Sequence, residues 1–232
     1  MLIGKKIFSP LLHLFYPYLC AGCGNDHIEP PNLLCLRCFD QLPGTGYAFL
    51  PGNPIEKLFW GRISLYSAMS EFYFSKGNIL QLLVHELKYK GNKEIGSLLG
   101  NLVGESLMKS ERFPADVIIP LPLFARRELK RGYNQAEILC RGIKEVLNIS
   151  LVTGNVIRRQ DTETQTKKGR IQRWENVVNT FVVEKPSALE GKHILLVDDV
   201  ITTGATLEAC SRAIFEIPGV RISIATLACA TI

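Results

Sequence analysis

The sequence predicts an α/β fold in which helices flank a mainly parallel sheet, with a small cysteine-rich module ahead of it. Helical patterns separate three apolar segments, each typical of a strand covered on both faces: residues 116–123, 193–198 and 221–230. Two C-x-x-C pairs precede a stretch rich in proline and glycine at 43–54. We therefore place a domain boundary near residue 50, which predicts an N-terminal helix and a four-cysteine zinc-binding module at 1–50 and a larger domain at 51–232.

Local patterns define the elements of the larger domain. β-Branched and aromatic residues predict strands at 62–68 and 71–75. Asn78 can cap a helix that Gly91 ends, and an apolar period of 3.6 residues predicts a second helix over 95–107. A third helix, with Asn134 as its cap, carries apolar residues at 138–147, and a fourth covers 205 to about 217.

Composition and charge limit the classes of function. The 232 residues are 47% hydrophobic, with a formal net charge of +5. Basic side chains cluster at 126–131 and 158–173, and such clusters attract phosphates in small molecules or nucleic acids. Pro10, His13 and Pro17 interrupt the apolar N-terminal segment, which we interpret as an amphipathic helix and not a signal peptide. We expect a cytoplasmic protein with no membrane span.

The segment ILLVDDVITTGAT, at 194–206, is the most informative stretch of the chain. Its two carboxylates follow an apolar strand, at the edge of a parallel sheet where ligands bind. Gly204 permits a positive φ and close approach to an anion, while the neighbouring threonines add hydroxyl donors at a helix N-terminus. A sugar phosphate satisfies both halves of the segment. The plainer alternative is that Asp199 caps a turn and the threonines cap the helix.

The four N-terminal cysteines predict a structural Zn²⁺ site. Cys20 and Cys23 are separated by eleven residues from Cys35 and Cys38, a spacing suited to tetrahedral coordination by four thiolates. A disulfide pair or a redox C-x-x-C is the alternative, and His27 is a weaker substitute ligand. The other cysteines lie in apolar or helical surroundings and are expected in the core: Cys140, Cys210 and Cys229.

Together, these motifs resemble a known family. ILLVDDVITTGAT resembles the motif with which type I phosphoribosyltransferases bind 5-phosphoribosyl-1-pyrophosphate (PRPP). With the cysteine module, PYLCAGC, HELKYKG (85–91), RRELKRGYNQAEIL (126–139) and RRQDTETQTKKGRIQRWEN (158–176), the chain resembles the competence-associated ComF family, including its GntX-like members. The resemblance implies a type I phosphoribosyltransferase-like fold and PRPP bound with Mg²⁺.

The resemblance also implies roles for individual residues. Asp198 and Asp199 are expected to contact the ribose hydroxyls. The 5-phosphate would be bound by the turn residues Thr202, Thr203, Gly204, Ala205 and Thr206. Lys167–Gly169 depart from the family pattern in the segment expected to close over PRPP, to which Arg170 and Arg173 belong.

The basic segment after residues 117–121 lies at the same predicted edge of the sheet. Arg126, Arg127 and Arg131 are therefore candidates for binding pyrophosphate, although a solvated helix start explains such a charge run equally well. Lys88 lies at the end of a predicted helix, where a cation complements the helix dipole, and we favour that interpretation over a functional one.

Two functions remain open from the sequence. The first is a phosphoribosyltransferase that acts on an acceptor which no motif identifies. The second is a non-catalytic factor that binds single-stranded DNA during DNA uptake in natural competence, with PRPP as a regulatory or vestigial ligand. In that case Tyr133 and Trp174 are candidates for stacking on bases. The family resemblance also makes a helicase-like competence protein an expected partner.

Overall fold

A computed structural model describes residues 18–26, 28–159 and 180–230, with the side chain of Arg127 left out. The strands are β1 (Ser67–Phe74), β2 (Val117–Pro120), β3 (Ser150–Leu151), β4 (Val156–Arg158), β5 (Phe181–Val183), β6 (His193–Ile201) and β7 (Arg221–Ala230). The α-helices are α1 (Leu36–Asp40), α2 (Pro54–Phe59), α3 (Ile79–Tyr89), α4 (Lys93–Ser110), α5 (Ala125–Arg131), α6 (Gln135–Leu147) and α7 (Ala205–Phe215). The predicted N-terminal helix and His27 lie outside the described residues.

Five strands form one parallel sheet in the order β1-β7-β6-β2-β3. Strands β4 and β5 form a separate antiparallel pair. The central strand β6 is buried from His193 to Val197, because helices cover both of its faces. The predicted α/β class with a mainly parallel sheet is confirmed.

Two apolar layers hold the helices against the sheet. On one face, buried residues of α3, α4 and α6 pack with Met69, Leu195 and Ala225. On the other face, α2 and α7 pack with Leu196 and Ile224. Helix α3 ends, and helix α7 begins, near the carboxyl ends of the strands. Both helices therefore bring side chains to the edge where a parallel sheet binds ligands.

Two predicted boundaries are wrong in an instructive way. The strands expected at 62–68 and 71–75 are one strand, β1, since residues 67–74 pair continuously with β7. Strand β6 continues to Ile201 instead of ending at 198, because the parallel register with β7 places Asp198 opposite Thr226 and Ile201 opposite Cys229. The acidic pair therefore lies within the last part of the strand.

The cysteine module packs against the larger layer of helices. Cys20 and Cys38 are buried in the same apolar cluster as α3 and α4. Gly22 lies so close to α3 that an added Cβ would come within 2.7 Å of Ile79 Cδ1. The division of the chain near residue 50 stays a prediction. In the described ranges, no helix combines the length and apolarity that a bilayer crossing requires.

Candidate sugar-phosphate site

The acidic pair lies near the carboxyl end of β6, where its two half-buried carboxylates are tied to the local backbone. The N–H of Asp199 donates to Asp198 Oδ1 at 2.8 Å, and the N–H of Val200 donates to Asp199 Oδ1 at 2.6 Å. These bonds fix the orientation of both side chains without a ligand. Because the strand continues past the pair, a regular backbone and not a loose turn positions the carboxylates.

A lysine that the sequence had assigned to a helix end lies directly on this pair. Lys88 Nζ is 2.6 Å from Asp199 Oδ2, and the two side chains are mostly buried, with 19% of Lys88 and 16% of Asp199 exposed. Lys88 lies in the last turn of α3, which brings it to the carboxyl end of β6. The HELKYKG motif was a signal for this contact, but a cation at a helix C-terminus already had a sufficient local explanation.

Asp198, the other carboxyl group of the pair, has a raised pKa. Burial, together with the neighbouring charge of Asp199, raises the pKa of Asp198 to about 8. The backbone N–H of Asp199 and the cations of Lys88 and Arg158 act in the opposite direction. Asp198 therefore favours a neutral form near neutral pH until a ligand supplies further hydrogen-bond donors or positive charge.

The turn after β6 has the geometry of an anion-binding helix start. Gly204 has φ +72° and is the N-cap residue of α7, an 11-residue helix with no side-chain cap on its N-terminus. An added Cβ at Gly204 would lie 2.9 Å from Phe59 Cζ. Thr203 Oγ1 makes a long local bond, accepting from the N–H of Ala205 at 3.4 Å. A side chain at position 204 would therefore be strained by both the positive φ and the contact with Phe59.

The other turn residues are open to solvent. Thr202, Thr203 and Ala205 are exposed, and Thr206 is half-buried. The structure therefore brings all five predicted turn residues together with the acidic pair on one β6–α7 junction. Their phosphate-binding role stays a prediction.

Sequence reasoning missed Arg62, which contacts both this turn and helix α7. Its guanidinium donates to the carbonyl oxygen of Thr203 at 3.1 Å and forms an ion pair with Glu208 in α7. No motif marked this arginine, because its segment was assigned to a strand. Arg62 adds positive charge beside the turn, where an anion would benefit from it. It also lines a cleft of about 650 Å³ formed by Glu56 and residues 59–67, whose lining does not include the acidic pair.

The basic segment on α5 is divided between solvent and local contacts. Arg126 and Lys130 are exposed, whereas half-buried Arg131 donates to Gln135 Oε1 at 2.6 Å and lies 5.9 Å from the ring centroid of Tyr89. Nothing is described for the side chain of Arg127. The structure therefore brings Arg131 beside the end of α3 and leaves Arg126 in solvent.

The residues after α5 connect that segment to the neighbouring elements. Asn134 caps α6 as predicted and also donates to the carbonyl oxygen of Leu121 at 3.0 Å. The hydroxyl of half-buried Tyr133 donates to the carbonyl oxygen of Leu87, and Lys93 Nζ lies 5.3 Å from its ring centroid. The hypothesis that Tyr133 stacks on bases is therefore disfavoured, since its ring already packs between α3 and α4.

The segment expected to close over PRPP begins and ends at the β4–β5 pair. Arg158, at the end of β4, stacks on Phe124 with 3.8 Å between the guanidinium carbon and the ring centroid. Arg170, Arg173 and Trp174 lie outside the described residues, so their roles stay predictions.

The four N-terminal cysteines converge as a metal site requires. Their Sγ atoms lie within 4.8 Å of one another, and Cys23 Sγ and Cys35 Sγ are 3.8 Å apart. Tetrahedral zinc with Zn–S bonds of about 2.3 Å places its sulfurs about 3.8 Å apart. The cluster can therefore hold a metal such as zinc, and four thiolates would leave no open position for catalysis.

The thiols also differ in their protonation. Burial acts to raise the pKa of Cys20, but backbone N–H groups of Cys35, Cys23 and Gly22 outweigh it and lower that pKa to about 6. Burial and the neighbouring thiols instead raise the pKa of Cys38 well above its usual range. Cys20 therefore readily forms a thiolate, whereas Cys38 retains its proton. A bound metal cation would favour the thiolate form of both.

Comparisons with known proteins identify the family to which the chain belongs. Residues 129–230 match the family model described as phosphoribosyl transferase domain. The chain is 31% identical over 204 residues to the DNA utilization protein YhgH of Escherichia coli (strain K12), covering 85% of this chain and 84% of that protein. It is 28% identical over 211 residues to competence protein F of Haemophilus influenzae, covering 85% and 91%. The chain belongs to the ComF family.

Other similarities are more distant. Competence protein ComFC of Bacillus subtilis, whose name also carries ComF, is 28% identical over 157 residues, covering 67% of this chain and 61% of that protein. Among solved structures, a glutamine PRPP amidotransferase from B. subtilis has 19% identity and a TM-score of 0.42, covering 60% of this chain and 30% of that one. At that distance the structural likeness carries no functional argument, and the ComF assignment rests on the sequence relatives.

Proposed function

We propose that this ComF-family chain binds PRPP at the β6–α7 junction and takes part in the handling of DNA during natural competence. One observation carries the proposal: two adjacent carboxylates are followed, within one short turn, by Gly204 at φ +72°, which places no side chain on the N-terminus of an 11-residue helix. Carboxylates accept bonds from hydroxyls, whereas a helix N-terminus binds phosphate. PRPP carries both a ribose with free hydroxyls and a 5-phosphate on one molecule.

Each part of the site would recognise a different part of PRPP. Asp198 and Asp199 would accept hydrogen bonds from the ribose hydroxyls, and residues 202–206 would hold the 5-phosphate. Arg131, near the end of α3, is the described basic residue best placed for the pyrophosphate, with Arg126, Arg127, Arg170 and Arg173 as further candidates from the sequence. Mg²⁺, which binds diphosphates readily, would arrive with the ligand.

Phosphoribosyl transfer is the enzymatic form of this proposal. In that reaction the bond from ribose C1 to pyrophosphate breaks, and an acceptor atom bonds to C1. Stabilisation of the leaving pyrophosphate by positive charge would be the main contribution of the protein. Release of pyrophosphate from PRPP, measured with candidate purine, pyrimidine and amine acceptors, tests this step separately from binding.

Binding itself is tested by calorimetric titration of the zinc-loaded chain with PRPP and Mg²⁺. We expect saturable binding by the wild type and a loss of at least about a hundredfold in affinity for the variant with both Asp198→Asn and Asp199→Asn, since one oxygen of each carboxyl group is replaced by an amide donor that cannot accept a bond from a ribose hydroxyl. Glu216→Gln is the matched control, because that carboxylate is exposed just after α7. Equal affinity in wild type and double variant would contradict the proposed site.

A second candidate function is favoured by the names of the relatives and by the exposed charges of α5. One relative is named a DNA utilization protein and two are named competence proteins. Arg126 and Lys130 are exposed on α5, as an electrostatic contact with single-stranded DNA requires. In this form of the proposal PRPP is a regulatory or vestigial ligand, and a helicase-like competence protein is the expected partner.

Affinity for labelled single-stranded DNA, measured across a series of salt concentrations, tests this second function. We expect affinity to fall as salt rises, and to fall further in the Arg126→Ala, Lys130→Ala variant. Lys109→Ala is the control, since Lys109 is an exposed cation on α4 that pairs with Glu105. DNA binding that is indifferent to salt and to both α5 substitutions would argue against an α5 interface.

A further inference from the structure

Contacts within the chain already engage most of the oxygens of the acidic pair. Asp199 Oδ2 pairs with Lys88 Nζ, and Asp199 Oδ1 accepts from the N–H of Val200. Asp198 Oδ1 accepts from the N–H of Asp199. Within the described parts of the chain, this leaves Asp198 Oδ2 as the carboxylate oxygen with no hydrogen-bond partner.

This arrangement does not fit a Mg²⁺ held by the protein alone. Mg²⁺ requires octahedral oxygen ligands at about 2.0–2.1 Å and gives up its water reluctantly. The pair offers one uncommitted oxygen, and an ammonium 2.6 Å from the adjacent carboxylate would repel a divalent cation. A metal could bind both carboxylates only if Lys88 moved away.

The position of Lys88 is set by a well-anchored helix end. Leu83 and Leu87 in α3 are fully buried, and the carbonyl oxygen of Leu87 accepts from the Tyr133 hydroxyl. Lys90, the residue just after α3, provides a contrast, because its side chain is 62% exposed and pairs with Glu86, four residues earlier in the chain. Lys88 instead joins α3 to a different element, the central strand.

We propose that Lys88, the cation paired directly with Asp199, is a positioning residue that holds this carboxylate and keeps divalent metal from binding there ahead of the sugar phosphate. Asp198 Oδ2 is then the oxygen left for the ligand's hydroxyl groups. Metal reaches this edge as part of a metal–diphosphate ligand. The ligand in this inference rests on the proposed function, but the exclusion of free metal does not.

The test is a titration of the zinc-loaded chain with Mn²⁺ in the absence of PRPP, in which electron paramagnetic resonance measures the bound Mn²⁺. We expect Lys88→Met to bind Mn²⁺ at least about tenfold more tightly than the wild type, because a repelling charge is removed next to two carboxylates. Lys88→Arg keeps the charge and should resemble the wild type. Lys90→Met is the matched control, and adding Asp198→Asn and Asp199→Asn to Lys88→Met should abolish the gain.

Two results would overturn the inference. One is wild-type binding of Mn²⁺ at the acidic pair tighter than about 0.1 mM, identified by its loss in the double aspartate variant. That measurement needs no lysine variant to fold. The other is a folded Lys88→Met chain, as judged by its circular dichroism and urea unfolding, that gains no Mn²⁺ affinity. Neither result depends on PRPP, so failure of this inference is distinguishable from failure of the proposed function.

Discussion

The cysteine cluster and the acidic pair are both groups of like side chains held close together, but the chain completes them differently. In the cluster, four Sγ atoms lie within 4.8 Å, and the groups that act on Cys20 are backbone N–H groups and another thiol. In the acidic pair, the chain supplies its own cation, with Lys88 Nζ at 2.6 Å from Asp199. A metal can complete the first group, whereas the second is already partly neutralised and retains one oxygen for a ligand.

The largest expected effect comes from breaking the cysteine cluster. Cys38→Ser removes a buried member of the set, so we expect most bound zinc to be lost and the free energy of unfolding to fall by several kcal/mol. Metal content by atomic emission and urea unfolding measure both effects. Cys140→Ser is the control: it alters a buried thiol outside the cluster and should leave the zinc content unchanged. Full zinc content in Cys38→Ser would show that this cluster is not the metal site.

A smaller effect is expected at the turn between β6 and α7, for which we propose phosphate binding. Gly204→Ala places a Cβ at φ +72° and 2.9 Å from Phe59 Cζ, so we expect a loss of about 1–3 kcal/mol in unfolding free energy. PRPP affinity should fall at least about tenfold as the turn shifts. Adding Phe59→Leu should recover part of the stability by relieving the contact with the ring. A Gly204→Ala chain with wild-type stability and wild-type PRPP affinity would contradict the need for glycine there.

The smallest effect concerns pH. Since folding raises the pKa of Asp198 from 3.8 to about 8, the folded state holds the proton more tightly, and stability should decline as pH rises from about 4 to about 8. Asp198→Asn should remove this contribution and stabilise the ligand-free chain at pH 8 by roughly 1–2 kcal/mol, allowing for solvent screening.

Urea unfolding of wild type and variant between about pH 4 and pH 8 gives the difference curve that checks this prediction. The difference is needed because burial also raises the pKa of Glu71, to about 7, which adds a decline of the same sign to both chains. Parallel stability curves for the two chains would contradict a proton held at Asp198.

Much of the fold followed from local sequence signals. Unbroken apolar strands predicted the parallel sheet, and Asn78 and Asn134 cap α3 and α6 as expected. The boundaries of β1 and β6 could not be predicted, because pairing with β7 decides them and that register involves residues far apart in the sequence.

The candidate site was only partly visible in the sequence. The acidic pair and Gly204 lie in one continuous motif, so their proximity on the β6–α7 junction was predictable. Lys88 and Arg62 reach the same junction from α3 and from the segment after α2, and only tertiary packing brings them there. The sequence offered a local interpretation of each residue, a helix end for Lys88 and a strand for Arg62. Neither interpretation predicted the long-range contact.

The central claim is that the turn between β6 and α7 holds the 5-phosphate of PRPP beside the acidic pair. Phosphorus NMR of PRPP with Mg²⁺, titrated with the zinc-loaded chain, tests it most directly, because the 5-phosphate and diphosphate give separate signals. We predict that the 5-phosphate signal shifts and broadens with the wild type, less so with Gly204→Ala, and not with the Asp198→Asn, Asp199→Asn chain. A response confined to the diphosphate signals, or one that all three chains share, would contradict the claim.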